Sequence, residues 1–128
     1  MLTRDEILAR KPKVTKIRVD FWDAEVGVCS ITSAQRDDFM ALCREAKTSE
    51  KYASATAYLI ACSLCGDNGA LLFDPCNVGD LNLIRGWSGA LTDILSELSM
   101  KASGVQKDSV DEARKNSESA PKKDSGIV

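Results

Sequence analysis

The chain has 128 residues, 44% of them hydrophobic and 28% charged, and a formal net charge of −2. That length suits a single domain, and that charge gives no general reason to expect nucleic acid or an anionic lipid surface as a partner. Histidine is absent, which removes Ser-His-Asp and Cys-His catalysis and every His-ligated metal site.

Aromatic residues make up only 5% of the chain, so a base-stacking surface is not expected either. No apolar run is long enough to span a bilayer, and the first ten residues, MLTRDEILAR, are too charged for a signal peptide. The expected compartment is the cytosol, with no membrane partner.

Thr3 and Glu6 have the spacing of a capping box, so a short helix is expected from Arg4 to Ala9. Val14 to Phe21 alternates apolar and polar residues and is rich in β-branched side chains, which predicts a strand. Asp23-Ala24-Glu25 reads as a turn, and Glu25 to Ile31 as a second strand, giving a β-hairpin with Gly27 marking a bulge. Thr32 and Gln35 start a helix to about Lys47, with Phe39, Leu42, Cys43 and Ala46 as its apolar stripe.

Tyr52 to Cys65 contains no charge, glycine or proline. A helix apolar nearly all round is a buried helix, so this stretch is expected at the centre of the domain, with Ser49 as N-cap and Gly66 as its stop. Ala70 to Phe73 is a short apolar run that reads equally as strand or loop. Asp74-Pro75 predicts a weak helix from Pro75 to Ile84. Trp87 to Lys101 predicts an amphipathic helix with the stripe Trp87, Leu91, Ile94, Leu95 and Leu98, closed by Gly104. From 105 to 128 the chain turns polar. A brief helix from Ser109 to Asn116 and disorder from Ser117 are expected there. The resulting fold class is mainly α with a small N-terminal β-hairpin (α+β), with residues 1–104 forming the domain and 105–128 a tail.

The five cysteines are Cys29, Cys43, Cys62, Cys65 and Cys76. An odd number without an export signal argues against a disulfide framework. Cys62, Cys65, Cys76 and Cys43 together have the composition of a four-thiolate zinc site, which makes a zinc-binding adaptor or regulator the alternative reading. Against it, Cys62 and Cys65 lie within the apolar helix, where buried cysteine acts as a small hydrophobe. A redox role suits a helix N-terminus, and this motif ends a helix. Asp67-Asn68-Gly69 lacks the rest of a calcium loop and reads as a turn. The expectation is therefore no enzyme, no metal and no cofactor, with Trp22, Trp87, Leu91, Ile94 and Leu98 as candidate partner-binding residues.

The order of these pieces resembles the tail assembly chaperones of long-tailed bacteriophages. The resemblance rests on three segments: Phe21-Trp22-Asp23-Ala24-Glu25-Val26 followed by Ser33-Ala34-Gln35-Arg36-Asp37-Asp38-Phe39; Leu59 to Cys65 followed by Asp67-Asn68-Gly69 and Leu72-Phe73; and Trp87 to Lys101 followed by Val110 to Glu118. It covers about residues 14 to 121. The cysteine-rich central helix and Asp74-Pro75-Cys76-Asn77-Val78 depart from the usual pattern. The resemblance implies a non-enzymatic protein of the host cytoplasm, absent from the mature virion, that keeps the tape measure protein soluble during tail assembly. It also implies a longer, frameshifted form reaching the tail-tube protein; Lys122-Lys123 is where an A-rich message would allow slippage. Self-association into a homo-oligomer is a further expectation.

Overall fold

The computed structural model describes residues 1–11 and 13–105, leaving out the side chains of Ser49, Glu50 and Tyr52. The elements run α1 (Arg4–Leu8), β1 (Val14–Val19), β2 (Ala24–Cys29), α2 (Ser33–Glu45), α3 (Ser49–Ser63), β3 (Leu64–Cys65), α4 (Val78–Arg85) and α5 (Gly89–Ser103). The architecture is mainly α with a small antiparallel sheet in the order β1-β2-β3. The tail expected to form a brief helix from Ser109 and to lose order from Ser117 lies outside the described residues, as does the contribution of Tyr52 to the central helix.

Both capping boxes form. Thr3 accepts from the Glu6 amide and Glu6 returns to the Thr3 amide; Thr32 and Gln35 do the same for α2. Each pair satisfies donors that a helix start would otherwise leave orphaned. The hairpin is shorter than alternation suggested. Pairing runs from Val14↔Cys29 to Val19↔Ala24 without interruption. Asp20–Trp22 then form a single 3-10 turn, and Asp23 adopts φ 47, a left-handed conformation that aspartate tolerates. Arg18 holds this corner from beneath, bonding Asp20 at 3.4 Å and Asp23. Phe21 therefore leaves the strand, and Ser30 and Ile31 fall beyond β2.

Gly27 marks no bulge. A Cβ built there would stand 2.6 Å from the backbone oxygen of Cys65. The missing side chain lets β3 approach, as the pairs Gly27↔Cys65 and Val28↔Leu64 require.

α3 is the central helix. Ala55 and Leu59 join Phe39 and Cys43 of α2 in one buried cluster. Ala57, Ile60 and Ala61 join Val19, Val28, Leu64, Ile84, Leu91 and Leu95 in the other. Leu59 and Ile60 are each fully buried, an effect of about 1.5–3 kcal/mol apiece. The N-cap is Thr48, which accepts from Lys51, so Ser49 is the first helical residue and not the cap. The helix stops before Gly66: Leu64 turns to φ −70, ψ 124, and the chain enters β3 with no loop between. Cys29 donates its thiol hydrogen to the freed Ser63 carbonyl at 3.5 Å.

Gly66 instead begins a turn in which the Gly69 amide bonds its carbonyl. Beyond it Leu71 bridges back to Cys65, with the Leu72 amide donating to the Leu64 carbonyl and the Gly66 amide to the Ala70 carbonyl, so residues 70–73 make one short bridge and are otherwise loop. The next helix starts at Val78, capped by Asn77, and not at Pro75. Asp74 spends its carboxylate on the Cys76 amide two residues on, closing a turn, and its own amide donates to Asp80. α5 begins two residues after Trp87 and ends at Gly104, whose φ of 69 fits a C-terminal glycine.

Candidate partner-binding site

Trp22 lies on the hairpin turn and Trp87 on the link between α4 and α5. Their rings meet edge-on, with centroids 5.4 Å apart and planes at 86°. Phe73, from the loop after β3, meets the other side of Trp87 at 5.6 Å and 77°. Such perpendicular contacts set a ring's positive edge against a negative face. Trp22 remains 40% exposed, and its neighbour Phe21 53%. Trp87 is half-buried and forms one wall of a cleft of about 250 Å³ with Ala53, Thr56, Ile84, Gly89 and Asp93 among its lining.

At its other end β1 meets the end of α5. Thr15, Ile17, Leu98, Lys101 and Ala102 line an open groove of about 460 Å³. Trp22 follows β1 and Trp87 precedes α5, whereas Thr15 near the start of β1 shares this groove with residues near the end of α5. The strand and the helix thus run in opposite chain senses across one apolar seam, in which Ile17 and Val19 pack in one cluster with Leu91 and Leu95, while β2 is the strand that α5 packs against directly.

The candidate residues divide accordingly. Trp22 and Trp87 mark one end of the seam, and Leu98 lies in the groove at the other. Ile94, one turn before Leu98 on α5, is 41% exposed. Leu91 is only 5% exposed and belongs to the core cluster. It therefore supports the helix and offers no surface. Sequence reasoning missed Phe73 and Ile17 as members of this surface. Phe73 sat visibly in a short apolar run, but only the tertiary fold brings it to Trp87.

The cysteines do not assemble. Among the described residues no three His, Cys, Asp or Glu side chains come together as metal ligands, so Cys43, Cys62, Cys65 and Cys76 do not form the four-thiolate site of the alternative reading. Cys43, Cys62 and Cys65 are buried free thiols and Cys76 is exposed. Burial pushes the Cys62 thiol up to about 12, against a hydrogen bond from Tyr58 that favours the thiolate. Burial and the neighbouring Cys29 push Cys65 up to about 11. An activated nucleophile or redox thiol has a lowered value, so these two are set for packing. Burial also raises the Tyr58 hydroxyl, which donates to Asp38 at 3.3 Å. No described helix is long and apolar enough to cross a membrane.

No protein-family model matches the chain, and no curated protein does. Among solved structures, the tail assembly chaperone of bacteriophage HK97 is similar, with a TM-score of 0.57 at 13% identity, over 71% of this chain and 85% of that one. At that identity the likeness is one of fold: this chain has a tail assembly chaperone-like fold.

Proposed function

We propose that this protein is a phage tail assembly chaperone that binds the tape measure protein and keeps it soluble while the tail is built. The observation that carries the reading is the apolar seam between β1 and α5, present on a fold shared with the HK97 chaperone. A chaperone needs a surface that holds apolar stretches of another chain, and it needs no reacting group. Trp22, Phe21, Ile94 and Leu98 supply such a surface, each exposed or partly so. On this reading the protein acts in the host cytoplasm and is absent from the finished virion. A frameshift-extended form would add contact with the tail-tube protein, and copies of the chain would associate while holding one client.

The test is co-expression with a helical fragment of a tape measure protein, which the reading requires to be encoded close to this gene. The fragment is expected to be soluble only with this chain and to co-purify with it. Ile94→Asp is expected to reduce recovery at least fivefold with the fold intact by circular dichroism. Leu91→Asp is unsuitable, since it tests the core. A fragment equally soluble alone, or a gene lying far from any tail gene, would sink the proposal.

A further inference from the structure

We propose that the N-terminal arm of one copy of this chain, residues 1–13, docks on the aromatic surface around Trp22 and Trp87 of a second copy, so that copies join head to tail. This rests on the chaperone reading and deepens it by giving the association of copies its two surfaces. α1 buries no residue, and Leu2, Ile7 and Leu8 are 51%, 54% and 65% exposed. A helix of five residues is too short to hold by propensity. The Thr3–Glu6 capping box sets its start, and its apolar side chains are left without cover in their own copy. The receiving surface carries the exposed Phe21 and Trp22, with Trp22 set against Trp87 and Trp87 against Phe73. Aromatic anchors fixed in this way suit an interface. The arm would cover Phe21 and Trp22 and leave Ile94 and Leu98 open to the client.

The two surfaces are opposite in charge. Residues 1–13 carry Arg4, Arg10, Lys11 and Lys13 against Asp5 and Glu6. The aromatic surface is acidic on each element that builds it. Asp20 and Asp23 flank Phe21 and Trp22, Asp80 bonds the Asp74 amide beside Phe73, and Asp93 shares the Trp87 cleft. Arg18 is shared between Asp20 and Asp23, whose side chains stay 96% and 88% exposed, and Arg85 lines the cleft with Asp93. Asp74 and Asp80 accept backbone amides, bonds that leave their charge in place. Two such surfaces would repel each other, and so would two arms, which leaves arm on surface as the favourable pairing.

Reach selects a second copy over the arm's own. The arm joins β1 at Val14, whereas Trp22 lies past the other end of the strand. The six residues of β1 span about 20 Å. Residues 9–13, between α1 and β1, span about 18 Å when fully extended. Doubling back along β1 to the turn would leave them no slack, and a second copy imposes no such demand. Each copy then gives one arm and one surface, a heterologous contact that closes into a ring or continues as a filament.

Sedimentation velocity of the full-length protein is expected to show species larger than the monomer, growing with concentration and shrinking as salt rises. Ile7→Asp with Leu8→Asp disables the arm, and Phe21→Asp disables the surface. All three side chains are exposed, so circular dichroism should not change. Each variant alone is expected to be monomeric. Their mixture is expected to form a dimer and nothing larger, because one intact arm then meets one intact surface. Arg10→Glu with Lys11→Glu is expected to weaken association about tenfold, and Asp20→Lys with Asp93→Lys to restore it. Association that either variant keeps, a mixture that stays monomeric, or indifference to the charge reversal would overturn the proposal. So would a protein that associates only once Lys107, Arg114 and Lys115 are neutralised, which would make the chain's own tail the occupant. If the tape measure fragment is held but this pattern fails, the chaperone reading stands and head-to-tail docking falls; if the pattern holds and the fragment is not held, the reverse is true.

Discussion

The ring edge of one tryptophan meets the face of the other where Trp22 and Trp87 touch, 5.4 Å between centroids, so one contact fastens the hairpin turn to the start of α5. Trp87→Ala removes two ring contacts from a half-buried position and is expected to cost about 3 kcal/mol; Trp22→Ala removes one from a more open position and should cost about 1–2 kcal/mol. In a double-mutant cycle by urea denaturation the pair should couple by about 0.5–1.5 kcal/mol. Strictly additive losses would show that the rings touch without supporting one another.

Gly27→Ala should destabilise by about 1–3 kcal/mol, because the new methyl meets the Cys65 carbonyl at 2.6 Å and backbone must yield. Gly89→Ala, at a position with nothing within 4 Å, should change stability by no more than about 0.5 kcal/mol. Chemical denaturation of both variants checks the contrast. Equal effects would mean that β3 does not depend on the bare backbone of Gly27.

Ser99 has a buried hydroxyl with no hydrogen-bond partner among the described residues. Removing a desolvated, unpaired group relieves its penalty, so Ser99→Ala should be neutral or raise stability by about 1 kcal/mol. Ser63 differs: its hydroxyl donates to the Leu59 carbonyl at 3.0 Å, and Ser63→Ala should give no such gain. Thermal melts of the two variants separate the cases.

Cys62 and Cys65 ionise less readily folded than unfolded, so their protonated forms belong to the fold. Their contribution is complete below the ordinary thiol value of 9.0 and is lost as pH rises through about 11 and about 12. The urea midpoint should therefore hold level with respect to these groups below pH 9 and fall above it, less steeply in Cys62→Ala. At pH 8, Cys76 alone should label quickly with a thiol reagent, since the other four are buried. A second rapid thiol would contradict the packing of α3.

Local patterns made much of this fold legible. The spacing of Thr3 with Glu6 and of Thr32 with Gln35 announced two helix starts that form, and the uncharged run before Cys65 announced the buried helix. Element ends were less legible because tertiary contacts decide them. Arg18 gathers Asp20 and Asp23 and cuts the strand short of Phe21. Leu64 and Cys65 belong by composition to the helix, yet pairing with Gly27 and Val28 draws them into the sheet. The site was legible only in part for the same reason: the leucine stripe of α5 was visible, but which of its members face the core depends on where α3 lies, and that buries Leu91 and leaves Ile94 outside.

The passage from Ser63 to Leu64 joins helix and sheet without slack. A central rod that becomes a strand within one residue cannot slide or swivel against its neighbour. Tension applied at the hairpin would reach α3 undiminished, and loosening either would loosen both. The protein is thus built to yield all at once, so the slowest-exchanging amides of Val28 and Ile60 should open together with a single free energy.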